Sequence, residues 1–176
     1  MTACNALIEL LVGGFLHLIN FSMKGSVMIG FNLIVYTLLF VRIPRFGIIT
    51  MCGVCTAFLN LLLAGGSKFF AIYCIGLEAL AIDLVIHFGG LRRLSVMVAG
   101  AVAGLVACLC SAINGMIFMG IDPIDMLNRM AKFSFVAGHS VWLILGVIVL
   151  WRIIVGIAFG EVAFKVCKFL GKDDKL

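Results

Sequence analysis

Residues 69–88 read FFAIYCIGLEALAIDLVIHF, twenty positions that hold two acids, Glu78 and Asp83, and no lysine or arginine. As a helix this stretch rises about 30 Å, the thickness of a bilayer's hydrocarbon core. It is bounded by turn residues on both sides, Gly65-Gly66-Ser67-Lys68 before it and Gly89-Gly90-Leu91-Arg92-Arg93 after it. Such a segment predicts a membrane-spanning helix. Its two acids are then the costly exceptions that need a reason.

The rest of the chain repeats this pattern. Hydrophobic residues are 64% and charged residues 12% of the 176, with a mean hydropathy of +1.28. A soluble domain is about half apolar and about a quarter charged, so these charges could not cover the chain's surface in water. The expectation is an all-α integral membrane protein, a single transmembrane domain over residues 1–176. Spans are predicted at about 3–21, 26–41, 46–64, 69–88 and 94–119, with one more within 133–170. Six spans use about 120 residues. Arg42-Ile43-Pro44-Arg45 ends the second, because proline cannot continue a helix and disfavours one in the residue before it. In the last region a re-entrant piece through Ser140 is expected to precede a span that includes Arg152. The first apolar run, Ala6 to Phe21, has no basic residue before it and no small-residue cleavage site after it, and it reads as a span rather than a signal peptide.

Basic residues orient the bundle, because lysine and arginine concentrate on the cytoplasmic side. With both termini inside, the inner loops and tail hold Arg42, Arg45, Arg92, Arg93, Lys165, Lys168, Lys172 and Lys175. The outer loops hold Lys24, Lys68, Arg129 and Lys132. The expected topology is N-in, C-in, in the cell membrane of a prokaryote. Three polar turns then gather outside, at 20–24, 65–68 and 122–132, which suggests that any ligand is met there.

A charge at mid-bilayer costs about 3 kcal/mol on insertion scales, so intramembrane acids turn toward a cavity or a partner. Glu78 is the candidate ligand contact. Asp83, five residues on and about 140° around the helix, is read as structural or coupling. Each has a plainer reading as a protonated or hydrogen-bonded packing group. Asn60, Lys68, Asn114, Asp122, Asp125 and Trp142 are the further candidates for the substrate site. Interhelical hydrogen bonds account equally for the two asparagines. Trp142, next to the polar outer turn, could stack on a bound ring, whereas Trp151 reads as an interfacial belt residue. Ala99, Gly100, Ala103, Gly104 and Ala107, with Gly156 and Gly160, have the small-xxx-small spacing of close helix contacts, for packing or docking.

Other chemistry is not signalled. Cys52-Gly-Val-Cys55 has metal or redox spacing, but it lies in an apolar run with no second pair. His17, His87 and His139 have no paired spacing. The sequence contains no phosphate loop, dinucleotide fingerprint, HExxH or nucleophile elbow. No catalytic residues, metal, cofactor or nucleic acid are expected, and the chain cannot hydrolyse ATP itself.

Several stretches carry a resemblance. Arg42-Ile-Pro-Arg45-Phe-Gly leads into an apolar helix ending Gly65-Gly66-Ser67-Lys68-Phe69-Phe70. Tyr73-Cys-Ile-Gly76-Leu-Glu78-Ala-Leu-Ala-Ile-Asp83 follows, then Leu91-Arg92-Arg93 and Val98-Ala-Gly-Ala-Val-Ala-Gly-Leu105. The pattern resembles the substrate-binding S component of energy-coupling factor (ECF) vitamin transporters. Its thiamine/hydroxymethylpyrimidine-type members are nearest, with a final helix patterned as Arg152, Gly156 and Gly160. The resemblance covers roughly residues 26–107 and, loosely, the tail. It implies six helices that capture a small water-soluble vitamin or precursor from outside, thiamine or hydroxymethylpyrimidine among them. It also implies a membrane coupling protein and two cytoplasmic ATPase subunits as partners. The chain departs from the family in two places. The first segment carries Gly13-Gly14 instead of an alanine stripe for docking, and the turn at 65–70 lacks the proline and tryptophan common in thiamine-type members. Two other readings stay open: a non-transporting scaffold or assembly subunit, and a stand-alone secondary carrier or channel.

Overall fold

The chain reverses direction at its arginine-flanked turns. A computed structural model describes residues 11, 24–64, 69–117, 120, 122, 125 and 141–170, in which there are five helices and no strand. These are α1 (Lys24–Arg42), α2 (Ile48–Ala64), α3 (Phe69–Gly89), α4 (Arg93–Ile117) and α5 (Val141–Leu170). Apart from Leu11, the expected span at 3–21 lies outside the described residues, as does the re-entrant piece before Ser140. Two stretches, Arg93–Asn114 in α4 and Leu145–Leu170 in α5, are long and apolar enough to cross a membrane.

Local chemistry sets the turns. α1 stops two residues before Pro44, and the Arg45 N–H donates to the Ile43 carbonyl at 2.8 Å, which tightens the reversal. Gly90 follows α3 at φ +68°, the left-handed position that commonly ends helices and suits glycine. The Ser95 hydroxyl then reaches back to the Val85 carbonyl at 3.0 Å and ties α4 to α3. Each turn makes the neighbouring helices antiparallel. The pairing of Thr50 with Asp83, and of Gly53 with Ala79, shows the same for α2 and α3.

Packing follows chain order from α2 to α5, with α4 against α5 the most extensive contact. α1 breaks that order: it packs chiefly on α5 and touches the other three. Its Leu33, Tyr36 and Thr37 are fully buried, as are Ile49, Ile82, Ile86 and Val96 around it. Because the helices alternate in direction, the turns at 43–47 and 90–92 and the end of α5 share one end of the bundle. That end holds Arg42, Arg45, Arg92, Arg93, Lys165 and Lys168.

The α4–α5 seam is made of backbone. A methyl group on Gly100 would collide with the Gly156 carbonyl, and one on Gly156 with the Gly100 carbonyl. A methyl on Gly104 would lie 2.8 Å from the Arg152 carbonyl oxygen, and one on Gly160 2.7 Å from that of Val96. Side chains cannot yield here, since the obstacles are main-chain atoms. Ala99 and Ala103, fully buried, and Ala107, 7% exposed, continue the small-residue surface of α4.

Gly100→Val should therefore lower the thermal midpoint of the purified protein markedly, at the upper end of the about 1–3 kcal/mol typical of overpacking. Gly146→Ala, on α5 with nothing within 4 Å of the added carbon, should be neutral or stabilising, because alanine favours a helix over glycine. Equal midpoints for the two variants would remove the seam from the account.

Candidate functional site

Glu78 is the natural starting point, a carboxylate 9% exposed in the middle of α3. It lies one helical turn after Cys74 and close to Cys110 of α4, whose thiols hydrogen-bond to each other across the helix pair. The Arg93–Glu161 ion pair links α4 to α5 at the basic end. Measured from that level, Glu78 lies about 15 Å along its helix, near the middle of the bundle.

Asn60, 8% exposed on α2, sits about 8 Å farther from the basic end than Glu78, and the half-buried Asn114 of α4 about 12 Å farther. The three residues occupy the same half of the bundle at different depths. Asp122 and Asp125 are exposed, beyond the end of α4. Lys68 and the Trp142 side chain lie outside the described residues. Trp151 is 45% exposed on the outer face of α5.

Asp83 has a different task. Its carboxylate is fully buried, and Oδ2 accepts from the Thr50 N–H at 3.1 Å and the Thr50 hydroxyl at 2.8 Å. Thr50 is the third residue of α2, whose first-turn N–H groups have no partner within the helix. Asp83 thus caps α2 from a neighbouring helix, placing a carboxylate at the positive end of the helix dipole. The partner on α2 separates its role from that of Glu78.

Of the small residues read as packing or docking positions, Gly100, Gly104, Gly156 and Gly160 form the α4–α5 seam, so α5 of the same chain occupies that face, and Ala99, Ala103 and Ala107 are buried within the bundle. No group of three or more histidine, cysteine or acidic side chains could hold a metal among the described residues. His87 is exposed at the basic end and meets the Phe46 ring at a tilt of 58°, with ring centres 5.0 Å apart.

Two features were not anticipated. Asn32 and Tyr36, one turn apart on α1, are buried at 4% and 0% exposure, and the Tyr36 hydroxyl points toward Gly53 of α2. With Thr56 of α2, also fully buried, they extend the polar interior. The signal was available: an asparagine and a tyrosine at i, i+4 spacing inside an otherwise apolar segment. The second feature is Arg152, whose Nη1 is buried with no hydrogen-bond partner among the described residues.

If Asp83 caps α2, Asp83→Ala and Thr50→Val should each destabilise, and their effects should be non-additive by about 1–2 kcal/mol. Thermal unfolding of the two single variants and the double variant measures this coupling. Additive losses would mean that the two groups do not interact. No known protein family, curated protein or solved structure matches the chain.

Proposed function

We propose that the chain is a six-span membrane protein, both termini cytoplasmic, serving as the substrate-binding subunit of an ECF-type importer in a prokaryotic cell membrane. One observation carries the membrane reading: the bundle's outer surface is apolar along most of its helices, and several polar side chains are buried within its largely apolar core. Asn32, Thr37, Thr56, Asn60, Glu78 and Asp83 are buried, while Met51, Phe58, Leu62, Leu109, Leu150 and Ile154 are more than half exposed. Water disfavours so extensive an apolar surface, and lipid favours it. The apolar window of α5 is only 17% buried inside the protein, unlike the core helix of a soluble protein. Exposed charges of the helices, Arg42, Arg93, Lys165 and Lys168, fall near the basic end. A cytoplasmic basic end follows the positive-inside rule.

The importer reading adds the resemblance over residues 26–107 and the placement of Glu78. A buried carboxylate at mid-bilayer, within a polar interior that runs away from the basic end through Asn60 and Asn114, suits capture of a small polar ligand from outside. Lys68, Asp122, Asp125 and Trp142 are the candidate rim. A membrane coupling protein and two ATPase subunits would supply the energy that this chain has no motif to harvest.

Gentle purification from the native membrane, with mass spectrometry of the co-purifying proteins and of extracted small molecules, tests this directly. Recovery of two ATPase subunits, a coupling protein and a vitamin-like heterocycle is the expected result. A chain that arrives alone, or with respiratory or secretion subunits, would overturn the importer. Glu78→Ala should reduce ligand recovery at least tenfold, about 1.4 kcal/mol, with unchanged yield and partner recovery. Undiminished ligand would place the site elsewhere.

A further inference from the structure

Arg42, Arg45, Arg92, Arg93, Lys165 and Lys168 are all exposed at one end of the bundle. Among the described residues, two acids lie toward that end, and both are engaged. Glu161 is taken by Arg93 at 2.7 Å and Lys165 at 3.5 Å, and Asp83 is buried in its cap on α2. Arg42, Arg45, Arg92 and Lys168 have no acidic partner among the described residues. Their shared field attracts anions from outside the chain.

Two further observations say what carries those anions. The charge is spread round the end instead of being gathered on one face. It comes from the last residue of α1, the turn into α2, the turn into α4 and the last turns of α5. The Phe46–His87 ring contact sets the Arg45–Phe46 turn beside the end of α3, which leads into Arg92. Exposed apolar side chains are interleaved with the charges: Ile43, Phe46, Phe88, Leu94, Phe169 and Leu170 are each more than two-fifths exposed. A globular partner covers one face, whereas a leaflet surrounds the bundle. Apolar groups between cations suit the boundary of acyl chains and headgroups. There arginine and lysine lay their stems on apolar surface and raise their charges to the phosphates.

We propose that this end is an anionic-lipid site, in which Arg42, Arg45 and Arg92 take the phosphates of acidic phospholipid headgroups. A guanidinium can grip a phosphate with two parallel N–H groups, which an ammonium cannot. Lys168 adds to the field. The inference rests on the membrane reading of the chain, independently of the importer, and adds the class of lipid that holds it.

Purified protein in detergent is equilibrated with equimolar phosphatidylcholine and phosphatidylglycerol, and the lipids retained after washing are counted by mass spectrometry. Phosphatidylglycerol should be enriched by about fivefold or more, the attraction of one or more basic side chains at an anionic surface. High salt should erase most of the enrichment, because exposed charges are screened over about 3 Å at 1 M. The triple variant Arg42→Gln, Arg45→Gln, Arg92→Gln should retain the two lipids nearly equally. Lys24→Gln, at the opposite end of α1, should keep the enrichment. Equal retention by the parent overturns the proposal, and so does enrichment that survives in the triple variant. If the triple variant does not fold, the three single variants decide in its place: each should lose part of the enrichment, and three undiminished values overturn the site. A parent without lipid preference, whose triple variant loses a protein that co-purifies from native membrane, would assign this end to an acidic protein instead. The membrane reading fails by a different result, a chain that stays soluble and monomeric without detergent.

Discussion

Backbone contact between α4 and α5 is the constraint on which the other placements depend. Gly100 and Gly156 let two long helices meet with no side chain between them, at a separation that any β-carbon would forbid. That approach brings Glu161 within 2.7 Å of Arg93 at one end of the seam and sets the Arg152 backbone against Gly104 farther along. In the bilayer setting we propose, lipid tails are as apolar as leucine and do not drive helices together, so close van der Waals contact supplies the attraction. The Arg93–Glu161 pair adds little by comparison, because its arginine is 63% exposed and screened by solvent.

A second tier of contacts fixes the remaining helices through polar atoms. Asp83 holds the start of α2, and Ser95 holds the end of α3. Each is directional where apolar packing is not, so each fixes rotation and register as well as proximity. Glu78 differs from Asp83 for this reason. Asp83 is bound to a helix terminus that any fold of this kind must satisfy, whereas Glu78 lies in the bundle's middle, where no helix end requires it.

Much of this was legible in the amino-acid order, and the limits have a physical pattern. Pro44 and Gly90 mark their turns because backbone geometry at those residues is local. The small-residue spacing on segments 94–119 and 133–170 announced a close contact, but spacing alone cannot say whether the surface meets its own chain or another. The five-residue interval between Glu78 and Asp83 gave an angle around one helix, which left the partner on α2 invisible. Arg152 stood out as a charge in an apolar run. Its setting at the α4–α5 seam, with its backbone against Gly104, depends on the rotation of both helices. Asn32 and Tyr36 sit one turn apart in an apolar run, and the burden of the buried Asn32 amide is of the same kind as that of Asn60.

The placement of α1 has a consequence for how the protein is made. From α2 to α5, each helix packs on its predecessor, so those contacts can form as the chain emerges. α1 takes most of its contact from α5, whose first residue follows the end of α1 by nearly a hundred positions. During synthesis it must wait with its Gly30 flank open, until the last helix arrives and seats Phe159 against Gly30. Assembly therefore passes through a stage in which the early helices are paired but open along one side. Closure of that side is a single late step. A chain truncated before α5 would leave this flank uncovered.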